Sequence, residues 1–242
     1  SSEHNKQLSQ LSDEHVGKLV QLWVSRFEYY QKQALVQYVY EFENRGAAVG
    51  VTMPHPHGQL YAFPFVPLKI ETELINCKNY YDKHGRNMLE DMIIEEKRDG
   101  SRVIFETDTF LVFLPHFTDY PYGIFIVSKL PKVHINEFNI DQQNELGIVL
   151  KLVNGMFDSL YDKLFPYMMC MHQGAVNHEK WINQEDYYRF HIEFYPPWRS
   201  EDVIKYYASS EMGAWAAANT RNVEDTAVEL KNALGKFKSK YS

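Results

Sequence analysis

The chain has 242 residues, of which 45% are hydrophobic, 24% charged and 15% aromatic, a composition typical of a folded globular protein and not of a disordered chain. A chain of this length can bury a sizeable core, as one large domain or two modest ones. Its 25 basic and 32 acidic side chains give a formal net charge of −7, which excludes a diffuse basic surface for nucleic acid or an anionic membrane. A phosphate-bearing ligand would therefore have to be bound by local groups.

The cysteines and the hydropathy pattern indicate the compartment. Cys77 and Cys170 lie far apart and outside any Cys-x-x-Cys motif, so we expect two reduced core residues and neither a disulfide framework nor a thiolate metal site. No apolar run approaches the roughly 18 residues of a membrane span, and no signal-peptide pattern stands at the start. We therefore expect a cytoplasmic protein.

The first predicted elements are a helix and a strand. Residues 12–33 have helical spacing, with Ser12 as a candidate cap and one apolar stripe formed by Val16, Leu19, Val20, Trp23 and Phe27. Residues 36–43 alternate between apolar and polar positions, which is strand periodicity. We expect the helix to lie on a core and the strand to end near Gly46.

The rest of the chain is predicted to alternate short strands with a few helices. Residues 74–100 are polar and charged, but their apolar side chains have helical spacing, so we expect a connecting helix there. Strands are expected at residues 102–106, 110–114, 123–128, 168–172 and 187–195, and further helices at residues 141–161 and 223–238.

The same order of elements occurs twice. In each half a histidine, a capped helix, a strand and an alternating pair of polar residues follow one another; the matching residues are His4, His55 and His57 in the first half, and His134, His191 and Glu193 in the second. This self-similarity predicts a duplication. Because a predicted strand pair precedes His134 and nothing corresponds to it before His4, we expect the natural protein to extend further toward its N-terminus.

The strongest chemical signal is the segment 54–59, Pro-His-Pro-His-Gly-Gln. In an extended backbone the side chains of His55, His57 and Gln59 leave the same face. The two prolines around His55 remove amide donors and favour a sheet edge. A neutral imidazole is both a nucleophile toward phosphorus and a metal ligand, and the spacing favours such chemistry over chance surface or core histidines.

Three segments carry a family resemblance. Residues 42–50 (Phe-Glu-Asn-Arg-Gly-Ala-Ala-Val-Gly), 54–59 and 191–197 (His-Ile-Glu-Phe-Tyr-Pro-Pro) together resemble the galactose-1-phosphate uridylyltransferase family of the histidine-triad superfamily. The resemblance implies an α/β (α+β) fold of tandem histidine-triad-like halves, each an antiparallel sheet with packed helices, and a homodimer. In these terms residues 1–75 are the remainder of an N-terminally truncated first half, 76–100 the connecting helix, and 101–242 the second half.

The resemblance also implies a reaction. UDP-glucose and galactose 1-phosphate would be exchanged for glucose 1-phosphate and UDP-galactose, with His57 attacking the α-phosphorus to form a covalent uridylyl-histidine. Gln59 would donate to the phosphoryl oxygens. Asn44 and Thr52 match family residues near the phosphates, and Lys205 matches a basic residue near the sugar phosphate; an ordinary surface lysine is the alternative for Lys205.

Two metal sites are implied by the same resemblance. His55 and His4 match two ligands of a structural zinc, whose other two ligands are usually upstream cysteines that this sequence does not contain. A second site, for zinc or iron, would be formed by Glu73, His172, His191 and Glu193, with Glu193 where the family often has a histidine. Without the resemblance, His172 would be a hydrogen-bonded core histidine and Glu73 a solvated carboxylate.

Two other functions remain open at this point. One is a nucleotidyl hydrolase or phosphorylase that uses the same histidine intermediate with water or phosphate as acceptor, because the sequence does not determine the acceptor pocket. The other is a non-catalytic, metal-stabilised nucleotide-binding fragment. We expect neither nucleic acid nor a membrane as a partner.

Overall fold

A computed structural model of the chain describes residues 1–53 and 55–240; Pro54 of the motif and the last two residues of the predicted second half lie outside the described residues. Its helices are α1 (Asp13–Tyr30), α2 (Leu68–His84), α3 (Met88–Asp99), α4 (Ile140–Leu160), α5 (Gln184–Tyr187), α6 (Ser209–Ala214) and α7 (Val223–Lys240). Its strands are β1 (Tyr38–Arg45), β2 (Gly58–Phe63), β3 (Val103–Glu106), β4 (Phe110–Phe113), β5 (Phe125–Ser128), β6 (Tyr167–His172), β7 (His191–Tyr195), β8 (Trp198–Ser200) and β9 (Val203–Ile204).

The main sheet is antiparallel and has seven strands in the order β2-β1-β6-β7-β5-β4-β3. The two halves of the chain meet inside it, where β1 pairs with β6 in a register that sets Phe42 opposite Cys170. Strand β2 lies at one end of this order, which confirms the edge position that the prolines predicted. Strands β8 and β9 form a separate two-stranded ribbon.

The element order supports the predicted duplication. Helix α1 is followed by the paired strands β1 and β2, and helix α4 by the paired strands β6 and β7. Helices α1 and α4 cross so closely that a Cβ atom on Gly147 would lie 2.8 Å from the carbonyl carbon of Val16. The mixed helix and antiparallel-sheet class expected from the resemblance is therefore the observed one.

Alternating strand residues separate two hydrophobic clusters. Val39 of β1 belongs to the large cluster that α1, α4 and α7 share with the sheet, whereas its neighbour Tyr38 belongs to a second cluster around α2. The largest fully buried side chains include Phe27, Tyr122, Phe157, Phe165, Tyr167, Tyr188 and Phe194. Burial of apolar area on this scale is the dominant favourable contribution to folding.

The structure corrects three predicted elements. The connecting helix is two helices, because Gly85 at φ +65° ends α2 and Asn87 caps α3. The strand expected at 187–195 begins at His191, since residues 184–187 form the short helix α5. His55 and His57 precede β2, which begins at Gly58, so the two histidines of the motif lie outside the strand and only Gly58 and Gln59 belong to it.

The bounds of the other predicted helices and strands agree with the observed ones within a few residues. Ser12 caps α1 by accepting a hydrogen bond from the His15 amide at 3.2 Å. Both cysteines are free; Cys77 is buried, while Cys170 is partly exposed. None of the helices in the described part of the chain is long and apolar enough to cross a membrane.

Candidate functional site

His57 lies directly before the edge strand β2, and Gly58 beside it is paired across the sheet with Glu43 of β1. Its Nδ1 atom is 2.9 Å from the carbonyl oxygen of His55. Because a carbonyl oxygen can only accept a hydrogen bond, Nδ1 is the protonated nitrogen in this contact. The lone pair is then on Nε2, and the ring is held in the tautomer of a nucleophile.

A cavity of about 290 Å³ adjoins His57 and is lined by several residues of the predicted site. Asn44 and Thr52 line it together with His57 and His55. Gln59 is not among the lining residues; it lies on β2 with an exposed side chain. The structure thus brings Asn44, Thr52 and His57 to one cavity, with Gln59 two residues along the chain.

Glu43 also lines this cavity, although the sequence analysis assigned it no role. Its buried carboxylate accepts a hydrogen bond from the Tyr167 hydroxyl at 3.1 Å. Burial raises the pKa of Glu43, and the charge of Arg45 and the hydrogen bond from Tyr167 oppose that rise. The signal that could have found it is its place in Phe-Glu-Asn-Arg-Gly, immediately before Asn44.

Lys205 lies in another cavity, which it lines together with Glu211 and the β8–β9 ribbon. The residue is only 6% exposed, and among the described residues its ammonium has no hydrogen-bond acceptor. It lies 3.7 Å from a Glu211 carboxylate oxygen and over the rings of Tyr120 and Tyr207. A desolvated cation of this kind favours an anionic ligand, and the alternative of an ordinary surface lysine does not fit its burial.

The four residues of the second predicted metal site come together. Glu73 on α2, His172 on β6, and His191 and Glu193 on β7 each offer one ligand atom, and these atoms lie within 4.8 Å of one another. His172 Nδ1 is 2.9 Å from Glu73 Oε2, and its Nε2 is 3.6 Å from Glu193 Oε2. Both histidines and Glu193 are buried, and Glu73 is half-buried.

The charges in this cluster favour ionised carboxylates. Burial alone would raise the pKa of Glu193, but the charges of His172, His191 and Lys69 outweigh it and hold that pKa well below its usual range. The pKa of Glu73 is lowered in the same way, with His172 as the main opposing charge. Burial lowers the pKa of His191, yet the hydrogen bond and charges of Glu193 and Glu73 raise it overall.

Two imidazoles and two carboxylates suit a divalent metal such as zinc or iron. The four donors converge from one helix and two strands, so a bound ion would tie α2 to the sheet. The residues present therefore fit a metal with a structural role. The chemistry that the ion would supply is coordination of these four side chains.

The sequence did not indicate the polar residues that surround the cluster. Tyr188 donates a hydrogen bond to Glu73 at 3.0 Å, and Lys69 donates one to Glu193 at 2.7 Å. Tyr195 also contacts Glu193 through its hydroxyl. The available signals were spacings: Lys69 precedes Glu73 by one helical turn, and Tyr195 follows Glu193 on the same strand face.

His4 and His55 are neighbours in the structure. Their rings stack with centroids 4.5 Å apart, and His55 Nδ1 is 2.9 Å from the His4 carbonyl oxygen. Two imidazoles supply half of a tetrahedral ligand set. The first zinc site therefore stays a prediction.

Comparison with solved structures identifies the class of protein to which the fold belongs. A solved structure titled "Structure of uridylyltransferase" superposes with a TM-score of 0.89 at 25% identity, over 98% of this chain and 73% of that one. A structure of an ADP-glucose phosphorylase from Arabidopsis thaliana, with bound ADP-glucose, has a TM-score of 0.83 at 23% identity, over 96% and 70% of the two chains. The fold is thus that of the uridylyltransferases.

The family follows from the sequence comparisons. Residues 1–67 match the N-terminal domain and residues 73–240 the C-terminal domain of galactose-1-phosphate uridyl transferase. The galactose-1-phosphate uridylyltransferase of Thermotoga maritima is 36% identical over 231 residues, which are 96% of this chain and 71% of that protein. That of Kluyveromyces lactis is 30% identical over 88% of this chain and 58% of that protein. The chain belongs to the galactose-1-phosphate uridylyltransferase family.

Proposed function

We propose that the chain carries the uridylyl-transfer site of a galactose-1-phosphate uridylyltransferase, which exchanges UMP between UDP-glucose and galactose 1-phosphate in the cytoplasm. The observation that carries the proposal is the contact between His57 Nδ1 and the His55 carbonyl oxygen. That contact leaves the Nε2 lone pair free for attack on phosphorus. Membership of the family supports the choice of substrates.

The reaction divides into two transfers at His57. In the first, Nε2 attacks the α-phosphorus of UDP-glucose; the P–N bond forms, and the bond to the bridging oxygen breaks as glucose 1-phosphate leaves. In the second, a phosphate oxygen of galactose 1-phosphate attacks the uridylyl group, the P–N bond breaks, and UDP-galactose leaves. Because both halves use one nucleophile, the two sugar phosphates occupy one site in turn.

The anionic substrates are bound by a few groups in this acidic chain. Asn44 and Thr52 line the cavity beside His57, where their polar side chains can bind phosphoryl oxygens. Gln59 would supply a further donor to the charge that develops in the transition state. Lys205, a buried cation without a hydrogen-bond acceptor among the described residues, would bind the phosphate of the sugar phosphate.

The metal sites support this chemistry indirectly. We assign zinc or iron to Glu73, His172, His191 and Glu193, and a structural zinc to His4 and His55. An ion held by His55 would orient the residue whose carbonyl oxygen holds His57. The working assembly is a homodimer.

The test is covalent labelling of His57. The protein is incubated with UDP-glucose labelled in the uridine, and labelled histidine and glucose 1-phosphate are both measured. We expect stoichiometric label and release in the wild type and in His84→Ala, an exposed histidine at the end of α2, and neither in His57→Ala. Absence of label from the wild type would overturn the proposal and favour a non-catalytic nucleotide-binding fragment.

The acceptor is identified in the second step of the same experiment. The isolated labelled protein is offered galactose 1-phosphate, inorganic phosphate or water alone. We expect galactose 1-phosphate to remove the label as UDP-galactose, and the other two to leave it in place. Rapid removal by phosphate or by water would identify a phosphorylase or a hydrolase instead.

A further inference from the structure

Lys69 reaches into the cluster of Glu73, His172, His191 and Glu193 from its rim. Its ammonium is 2.7 Å from Glu193 Oε2 and 3.9 Å from Glu73 Oε1. It also contacts the hydroxyl of Tyr195 and lies 4.8 Å from the centre of that ring. A positive charge thus already occupies one side of the cluster.

The cluster needs a positive charge because its carboxylates are shielded from water. The side chain of Glu193 is 5% exposed, and an unpaired ionised carboxylate at such a depth is strongly unfavourable. The two imidazoles are neutral when they act as metal ligands. The ammonium of Lys69, beside the two histidines, therefore supplies part of the positive charge that a divalent ion would otherwise supply.

We propose that Lys69 is a built-in counter-cation that a divalent metal must displace. The ammonium and the ion would compete for the carboxylate of Glu193, since Glu193 is both a candidate ligand and the hydrogen-bond acceptor of Lys69. An ammonium and a divalent ion beside the same carboxylate would also repel each other. The site is thereby able to keep its shape without metal, at the cost of weaker metal binding.

The position of Lys69 allows this exchange without movement of the backbone. It lies in the first turn of α2, and its side chain is 58% exposed, so its flexible stem can turn the ammonium into solvent. Glu73 follows four residues later on the same helix face. The helix can therefore present Glu73 to a metal while Lys69 moves outward.

Zinc affinity of substituted proteins tests the proposal. Zn²⁺ is titrated against a chromophoric chelator in the wild type, Lys69→Met, and Lys78→Met, a matched control whose lysine pairs with Asp82 on the same helix. The zinc bound at this site is defined as the part that His191→Ala loses, which separates it from zinc held by other histidines. We expect Lys69→Met to bind zinc roughly tenfold more tightly or better, and Lys78→Met to match the wild type.

Thermal stability gives a second readout that does not depend on transferase activity. Metal-free Lys69→Met is expected to melt below the metal-free wild type, because its carboxylates have lost one of the cations that face them. The two proteins are expected to melt alike when saturated with zinc. Lys69→Arg, which keeps the charge, is expected to bind zinc no more tightly than the wild type. If metal-free Lys69→Met does not fold, the neutral Lys69→Gln replaces it, with the same expected gain in affinity.

Three outcomes would overturn the proposal. Unchanged or weaker zinc binding by Lys69→Met would show that Lys69 does not compete with the ion. Equal gains in affinity for Lys69→Met and Lys69→Arg would assign the effect to packing of the side chain and not to its charge. Tighter zinc binding by Lys69→Arg than by the wild type would contradict competition for Glu193.

Discussion

Glu41 is a carboxyl group in the interior of the sheet layer, with no exposed surface. Its Oε2 atom accepts a hydrogen bond from Gln173 Nε2 at 2.7 Å, whereas its Oε1 atom has no partner among the described residues. Burial raises the pKa of Glu41 to about 8, against the opposing effects of its own amide and Gln173. The folded protein therefore holds this proton at a pH where the unfolded chain releases it.

The sign of the resulting pH dependence follows from that difference. Between the ordinary pKa of 4.5 and the folded pKa of about 8, the folded state binds more protons at Glu41, so this residue's contribution to stability falls as pH rises. Glu41→Gln removes the contribution. As the pH rises across this window, we expect the free energy of unfolding of the variant to increase relative to that of the wild type by up to about 1.4 kcal/mol per pH unit. Urea unfolding at several pH values measures both free energies. The exposed Glu28→Gln is the control for substitution at the surface, and a pH-independent difference for Glu41→Gln would contradict the assignment.

At the scale of elements, the backbones of α1 and α4 come into close contact where the two helices cross. A Cβ atom on Gly147 would meet backbone atoms of Val16 and Gly17 at 2.8–2.9 Å, closer than real side chains approach. Gly235 in α7 has nothing within 4 Å of the same position. The two glycines therefore differ in packing although both lie inside helices.

This contrast predicts opposite effects of one substitution. Gly147→Ala should destabilise the protein by about 1–3 kcal/mol, because α1 and α4 must move apart. Gly235→Ala should stabilise it by about 0.5–1 kcal/mol, because alanine loses less backbone entropy in a helix. The free energies of unfolding from chemical denaturation decide between these expectations, and a neutral Gly147→Ala would show that the crossing relaxes at little cost.

Local patterns account for the elements that the sequence predicted well. The helices at 141–161 and 223–238 have long apolar stripes, and both were predicted within two residues at each end. The break between α2 and α3 was missed because apolar spacing continues across it, although Gly85 and Asn87 are a helix stop and a cap. The position of the two motif histidines relative to the strand could not be read from alternation. The β1–β2 pairing ends at Glu43 and Gly58, and His57 therefore lies outside the hydrogen-bonded ladder.

The candidate site could be predicted where residues stand in one segment, and not where they meet across the fold. The pair His191 and Glu193 shares a strand face, so alternation placed both correctly. Glu73 and His172 came from the family resemblance alone. Lys69 meets Glu193 from 124 residues away, and no local periodicity indicates a contact of that separation.

At the scale of the whole molecule, the two halves share one sheet and one helix layer. Strands β1 and β6 pair at the junction, and Arg45 of the first half binds Asp158 of the second at 2.7 Å. Arg45 is 6% exposed, and its loss would leave the half-buried Asp158 without its guanidinium partner. The halves are therefore expected to unfold together.

Native-state hydrogen exchange checks this expectation. In increasing denaturant, the amides of β1 and β6 should approach the same free energy of opening, because the ladder that joins the two strands is lost when either half unfolds. The β8–β9 ribbon, outside the main sheet, should open at lower free energy. Separate isotherms for β1 and β6 would show two independently folding halves.

The outer edge of β2 has a consequence for assembly. Among residues 1–53 and 55–240 no strand pairs with that edge, and β2 carries no charged residue along Gly58–Phe63. Backbone amide and carbonyl groups at an edge without charged side chains can form hydrogen bonds with a further strand. A strand added there would run beside Gly58, so sheet growth at this edge would bring new side chains next to His57.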